Sequence, residues 1–250
     1  MKIGLVGPSY QQRSLPFDAQ RTVNLFPLAD QQGAEVSSLL GTPGLSLFST
    51  CGTGAIREIF TAANNRCFAV SGSQLYEISE DGTSVARGSL DSSSGIVTIA
   101  ENGFQLGICD GQYVYMFTYA TNVFAKVTDT DLPSAGAIDF VDGYFMINEN
   151  DTGKFYISGL YDGTSWDALD FASAESSPDL LTRATNFVGQ IGLFGNQTLE
   201  IWRNTGDSSF PFVRISGSTP IGSIAPFTIT SIDTSVYWVG HNSQGSGIVY

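Results

Sequence analysis

Phe104–Phe117 reads FQLGIC-DG-QYVYMF, and this stretch decides the fold. Two apolar, β-favouring runs flank an Asp-Gly pair, a dipeptide whose positive φ angles suit a two-residue hairpin loop. The figure returns along the chain. Arg66–Ile78 reads RCFAV-SGS-QLYEI, Ile138–Asn148 reads IDFV-DG-YFMIN, with a second such pair at Asp142, Ile191–Trp202 reads IGLF-GNQ-TLEIW, and Val236–Tyr250 reads VYWV-GHNSQGSG-IVY. From Gly72 to Gly245 the turns lie roughly 43 residues apart on average, near the length of a four-stranded propeller blade, with single intervals from about 32 to 52. A β-sandwich uses only about seven to nine strands in a hundred residues, whereas some fifteen to twenty fit here. The sequence therefore predicts an all-β fold: a β-propeller-like array of short antiparallel strands and hairpins. The one short helical candidate is Ser176–Ala184, SSPDLLTRA, with Pro178 near its start.

The first fifty residues differ. Pro8, Pro16, Pro27 and Pro43 punctuate them, and neither helical nor strand periodicity persists. Proline fixes φ and removes a donor, so residues 1–50 are expected to form an extended, irregular N-terminal arm or cap and not a ladder strand. Residues 51–250 form the propeller-like domain. Its last run, GIVY, ends at Tyr250 inside a strand pattern, from which either truncation at the C-terminal end of a longer protein or closure of the propeller by another route is expected.

Composition agrees with a folded, turn-rich chain: 42% hydrophobic, 12% aromatic, 14% charged and 28 glycines in 250 residues. Eleven Lys and Arg against 24 Asp and Glu give a net charge of −13. Gripping phosphate requires the opposite balance, so direct DNA gripping is not expected, while a surface that DNA slides past is allowed. Cys51, Cys67 and Cys109 are odd in number and lack metal-type spacing; they read as buried free thiols of a protein assembled in a reducing cytoplasm. No signal peptide and no apolar run of membrane-spanning length is visible. The sequons at Asn150 and Asn196 are then chance matches.

Motifs for chemistry are near-misses. The single histidine, His241, lies in a glycine-rich loop without a nucleophile signature. Tyr161–Trp166, YDGTSW, is one residue short of an Asp-box turn and occurs once; a β-turn with Trp166 packed beneath it is the plainer reading. Asn148–Gly153, NENDTG, mimics the first half of a calcium loop, but Gly159 stands where the bidentate glutamate belongs. No P-loop, dinucleotide fingerprint or zinc cluster occurs. The expectation is no catalytic residue, no cofactor and no metal.

Charge, by contrast, is unevenly placed. Asp129, Asp131, Asp139, Asp142, Glu149, Asp151, Asp162, Asp167, Asp170, Glu175 and Asp179 face one base, Lys154. The first six of these acids are the candidate conduit or partner face. A solvated acidic surface and a surface facing DNA or a basic partner both fit.

VNLFP at Val23–Pro27, GTPGLSLF at Gly41–Phe48 and the hairpin SGSQLYEI together resemble the tail hub proteins of short-tailed phages, also called packaged-DNA stabilisation or nozzle proteins. The resemblance continues, in order, through IAENGFQLGICDGQYVY, FVDGYFMINENDTGKFYISGLYDGTSW, LFGNQTLEIWRNTGD and VYWVGHNSQGSGIVY. It implies a structural virion protein of the tail, not an enzyme, assembled in the host bacterial cytoplasm. It further implies a β-propeller subunit of a ring, usually a hexamer, beneath the portal and its adaptor ring. Such rings close the channel after packaging, conduct DNA during ejection, and carry tail spikes or fibres and a plug or needle. Family members are roughly twice as long as this chain. Leu25, Phe26 and Pro27 are the candidate assembly contact. The alternative reading is a phage-borne, carbohydrate-binding or glycan-degrading propeller using exposed Trp166, Trp202 or Trp238 with nearby acids.

Overall fold

The structure is a computed structural model that describes residues 23–29, 36–174, 180–242 and 245–250. The chain divides into two compact units, Met1–Phe48 and Ser49–Tyr250.

In the first unit, β1 (Leu25–Ala29) pairs antiparallel with β2 (Val36–Gly41). The arm thus contains a ladder despite its prolines, and the register explains how. Thr42 N–H donates to Asn24 O at 3.0 Å, which marks Asn24 and Thr42 as a hydrogen-bonded pair. Bonded and non-bonded pairs alternate along an antiparallel ribbon, so Pro27, opposite Leu39, occupies a non-bonded pair. Its missing N–H faces away from β2 and costs the ladder nothing. Leu25, Phe26, Leu28 and Leu40 of this ribbon remain exposed.

The second unit contains four antiparallel meanders of four strands each. The first sheet is β3 (Ile56–Thr61), β4 (Cys67–Ser71), β5 (Gln74–Ile78) and β6 (Ser84–Ser89). The second is β7 (Thr98–Glu101), β8 (Gln105–Cys109), β9 (Val114–Thr118) and β10 (Val123–Lys126). The third is β11 (Ala135–Val141), β12 (Tyr144–Glu149), β13 (Lys154–Gly159) and β14 (Asp162–Ser173). The fourth is β15 (Leu181–Phe187), β16 (Gln190–Gly195), β17 (Leu199–Asn204) and β18 (Phe212–Arg214). A fifth blade is made of two small sheets, its first strand being broken: β19 (Gly222–Ser223) and β20 (Thr230–Ile232) flank a 3-10 turn at Pro226–Thr228. There β21 (Ser235–Tyr237) pairs with β20, and β22 (Val239–Asn242) lies between β19 and β23 (Gly245–Val249).

A separate apolar core fills each gap between successive sheets, the arrangement that defines propeller blades. Phe68, Val70 and Leu75 of the first blade meet Leu106, Ile108 and Phe117 of the second. Met116 and Val114 meet Ile138, Phe145 and Ile147 of the third, and Phe155 and Ile157 meet Leu181, Ala184 and Leu193 of the fourth. Phe194 and Leu199 then meet Ile229 and Trp238 of the fifth. Each central strand has both faces buried, so β4, β8, β12 and β16 read as near-continuous apolar runs. Residues preceding β3 cap the first blade: Ser71 Oγ donates to Gly54 O at 3.0 Å, and Ser84 Oγ to Thr50 O at 2.8 Å.

Three sequence expectations are corrected. Leu181–Ala184 begin a strand instead of ending a helix; Leu181 and Ala184 are buried in the blade core, which overrides helix propensity, while 176–179 lie outside the described residues. The Asp142-Gly143 pair forms the two-residue hairpin with both φ positive, 48° and 92°. At Asp110-Gly111 the turn sits one residue later. Asp110 N–H donates to Tyr113 O at 3.2 Å, leaving Gly111 (φ 89°) as the first loop residue, the glycine placement of a type II′ turn. Finally, Trp166 and Trp238 are buried, and Trp202 is partly buried against the third core.

Candidate functional site

The first strand of each sheet lies innermost, and β7, β11 and β15 contact one another in succession. Their side chains meet around a cavity of about 600 Å³. Phe60 comes from β3, Ile99 from β7, Asp139 from β11, Arg183 and Thr185 from β15, and Thr230 and Ser231 from β20. Every blade contributes, which places the cavity on the propeller axis. Val188 and Asp233, in the turns that follow β15 and β20, also line it.

Three charged groups line it, Asp139, Arg183 and Asp233, and contacts hold the first two. The Asp139 carboxylate is held in place: Oδ2 accepts Thr185 Oγ1 at 2.6 Å and Asn186 N–H at 2.9 Å, and Oδ1 accepts Phe140 N–H at 2.8 Å. Arg183 is held less completely. Its Nη1 donates to Pro226 O at 2.9 Å and its guanidinium lies 5.7 Å from the Phe227 ring centre, but its Nε is buried without a partner. Burial lowers the Arg183 pKa below the ordinary arginine value, against the opposing pull of Asp139 and Glu58. Two other arginines are fully engaged. Arg57 donates five bonds, and Arg66 forks onto Glu77 through Nε and Nη2, both at 2.7 Å. The Arg66 contact holds the Glu77 carboxyl below its usual range.

The six acids singled out in the sequence separate in space. Asp139 alone lines the cavity. Asp142 occupies the β11–β12 turn, at the end where first and second strands join. Asp129, Asp131, Glu149 and Asp151 lie at the opposite end, where the chain passes from blade to blade and second strands join third. Asp129 is fixed there by Trp166 N–H at 2.9 Å and Asp131 N–H at 3.1 Å, which hold its carboxyl below the usual range. The NENDTG segment is the β12–β13 turn, tied to its neighbours by Asn150 Nδ2 donating to Gly111 O and Ser134 Oγ. In YDGTSW, Trp166 Nε1 donates to Gly163 O at 2.8 Å.

Reactive groups are turned inward. Burial pushes the Cys109 thiol up to about 12, and its Sγ donates to Ala135 O at 3.3 Å. His241 lies in β22 with Nδ1 buried and unpartnered. Among the described residues, no three His, Cys, Asp or Glu side chains gather to hold a metal ion, and no helix is long and apolar enough to cross a membrane. Sequence reading missed Arg183, Thr185 and Asn186, because it placed Arg183 at the end of a helix. The available signal was a lone arginine following a long acidic stretch.

Radial blades around a side-chain-lined axis define the class: an antiparallel β-propeller. Residues 1–250 match the family described as Bacteriophage P22 Gp10, beta-propeller. The chain belongs to this family of bacteriophage structural proteins of packaged-DNA stabilisation, which places it in the virion. Among solved structures, it is similar to YCF48 bound to D1 peptide, with 12% identity and TM-score 0.53, over 85% of this chain and 68% of that one. It is also similar to a chain of the Mitotic Checkpoint Complex, with 11% identity and TM-score 0.48, over 81% and 68%. The first of these likenesses concerns fold alone. No curated protein matches the chain.

Proposed function

We propose that this protein is a tail hub, or nozzle, subunit that acts by shape and charge and not by catalysis. Its ring, a hexamer, closes the portal channel after packaging and conducts DNA during ejection. The observation that carries the reading is the filled axis. Side chains of five blades converge on the axis around a cavity of about 600 Å³, smaller than the space that a single base-pair layer of duplex fills. A DNA conduit therefore has to be formed between subunits, by blade ends or outer strands and not through one propeller. Asp129, Asp131, Glu149 and Asp151 at one blade end would face the conduit or a basic partner, weakly repelling phosphate so that DNA slips.

Leu25, Phe26 and Pro27 supply the assembly contact in this reading. A two-stranded ribbon is marginal in water, and this one keeps Leu25, Phe26, Leu28 and Leu40 exposed. Burial against a neighbouring subunit or the portal adaptor ring would stabilise both. Spikes or fibres and a plug or needle are the remaining partners. The test is the double substitution Leu25→Asp and Phe26→Asp, followed by light scattering on the purified protein and complementation of tail assembly. Loss of the ring with an unchanged circular dichroism spectrum is expected. Wild-type ring formation and incorporation by the variant would refute the arm's role.

A further inference from the structure

The blade end at which first strands join second carries an apolar surface that the hub reading does not use. Phe104 lies in the β7–β8 turn of the second blade and Tyr161 in the β13–β14 turn of the third. They are 66% and 52% exposed, and Leu160 beside them is 61% exposed. The two rings meet edge to face at 6.4 Å. From there an aromatic row runs inward, Tyr161 to Phe140 at 6.2 Å and Phe140 to the buried Phe145 at 5.2 Å.

The exposed pair is held rigidly. One side chain, Asn102, fixes both backbones: Oδ1 accepts Phe104 N–H at 2.9 Å and Gln105 N–H at 2.7 Å, and Nδ2 donates to Tyr161 O at 3.0 Å. Gly163 N–H donates to Gln105 Oε1 at 2.9 Å, and Tyr161 N–H to Gly143 O at 2.7 Å. Tyr161 holds φ at 56°, where a turn prefers Asn or Gly. Apolar side chains fixed before binding cost little entropy when a partner covers them, and contiguous exposed apolar groups mark interaction surfaces.

Charge selects the partner. The turns at this end carry Glu80, Asp81, Asp142, Asp207 and Asp233 against one base, Arg66, and Glu77 already engages Arg66. Asp142 stands in the turn on which Leu160 and Tyr161 rest, and Asp162 follows Tyr161 directly. The fitting partner is a basic segment with apolar side chains, and this chain has one. Residues 1–22, outside the described residues, include Lys2, Arg13 and Arg21 against Asp18, three of the eleven bases in the whole chain. Tyr10, Leu15 and Phe17 stand among them. Arginine suits the surface, because a guanidinium can stack on an aromatic ring and pair with a carboxylate at once. A contact from the arm of one copy to the blade end of the next joins unlike surfaces, the geometry from which rings close.

We infer that the Phe104–Tyr161 surface is the docking site for residues 1–22 of a second copy of this chain, with arginine set against the aromatic pair and Asp142. The inference rests on the ring of the proposed function and names a surface that receives the arm.

The probe is a fluorescently labelled synthetic peptide of residues 1–22. It is titrated at low salt into the full chain carrying Arg13→Glu and Arg21→Glu, so that the chain's own arm does not compete. Saturable binding that weakens with added salt is expected. Phe104→Ser with Tyr161→Ser should weaken it about ten- to thirty-fold, in the range of aromatic hot spots. Asp142→Lys, on an exposed turn, should weaken it several-fold and tests the site if the aromatic double variant fails to fold. No saturable binding, or equal binding by folded variants, overturns the inference. So does equal binding of an unrelated peptide of the same charge, which would show a site for basic segments of other proteins. Ring formation by the wild-type chain is scored separately by light scattering. Rings that form although the peptide does not bind would leave the hub reading standing and sink the docking site alone.

Discussion

Replacing Arg57 with alanine should detach the connection between the first and second blades. Arg57 Nε donates to Gly95 O at 2.8 Å; Nη1 donates to Gly72 O and Ser92 O at 2.9 Å; Nη2 donates to Ser92 Oγ at 2.9 Å and Ser94 O at 2.8 Å. All five guanidinium protons are engaged, and four of the bonds reach the segment after β6. Two bonds, to Gly95 and Ser94, are exposed, and water can replace them at little cost. The other three are partly buried, and at about 1 kcal/mol each they amount to a loss of about 2–4 kcal/mol. Ser92 passes the effect onward, since its Oγ donates to Asp110 Oδ2 at 2.8 Å. The assay is urea denaturation of the full chain with hydrogen exchange of the Asp91 amide, which donates to Tyr115 Oη at 2.9 Å. With a slope of about 2–3 kcal/mol/M, the midpoint should fall by about 1 M, and Asp91 should lose protection first. Arg57→Lys should recover less than half, because an ammonium cannot reproduce the planar fork. An unchanged midpoint and unchanged Asp91 protection in Arg57→Ala would refute the reasoning.

Three further outcomes are expected. Gly222→Ala would place a Cβ 2.3 Å from backbone atoms of Asn196 and Gln197, so it should loosen the fifth blade from the fourth and cost about 2 kcal/mol or more by overpacking, read as lost amide protection in β19 and β22. Val188→Asn should raise the melting temperature by a few degrees, by relieving about 1 kcal/mol of strain at φ 54°; a fall would show that the valine packs favourably. Asp110 is pushed up by burial but held below its usual range by Tyr113, Ser92, Gln112 and Tyr115. Its folded-state pKa is depressed, so its contribution is complete above about pH 4, the unfolded value, and is lost as pH falls further. Asp110→Asn should flatten the stability loss in an acid titration below pH 4; an unchanged acid limb would show that other carboxylates carry it.

Much of the propeller was legible because its central strands are buried on both faces, and runs such as FQLGIC and YFMIN have no other economical use. Blade spacing emerged from glycine turns for the same reason. The helix error arose where SSPDLLTRA pairs good helix formers with an N-terminal proline; only the neighbouring blade's Phe155 and Ile157 decide for a strand. Pro27 misled in the opposite sense, because exclusion from a ladder depends on which way the missing N–H points, and register is a property of two strands. The acids were visible as a run but not as a surface, since a meander sends neighbouring turns to opposite ends. The axial cavity was not legible at all. Asp139, Arg183 and Thr230 converge from three blades, and no local pattern announces a residue as innermost.

The inter-blade cores are unequal. Among the described residues, those joining the first four blades bury ten, ten and nine residues, whereas the core between the fourth and fifth buries four. Viewed as a mechanical series, such an array shares a pulling load equally along its links and yields at the thinnest. Under tension applied around the propeller, the fifth blade would part before the others slip, and the first four would travel as one rigid block.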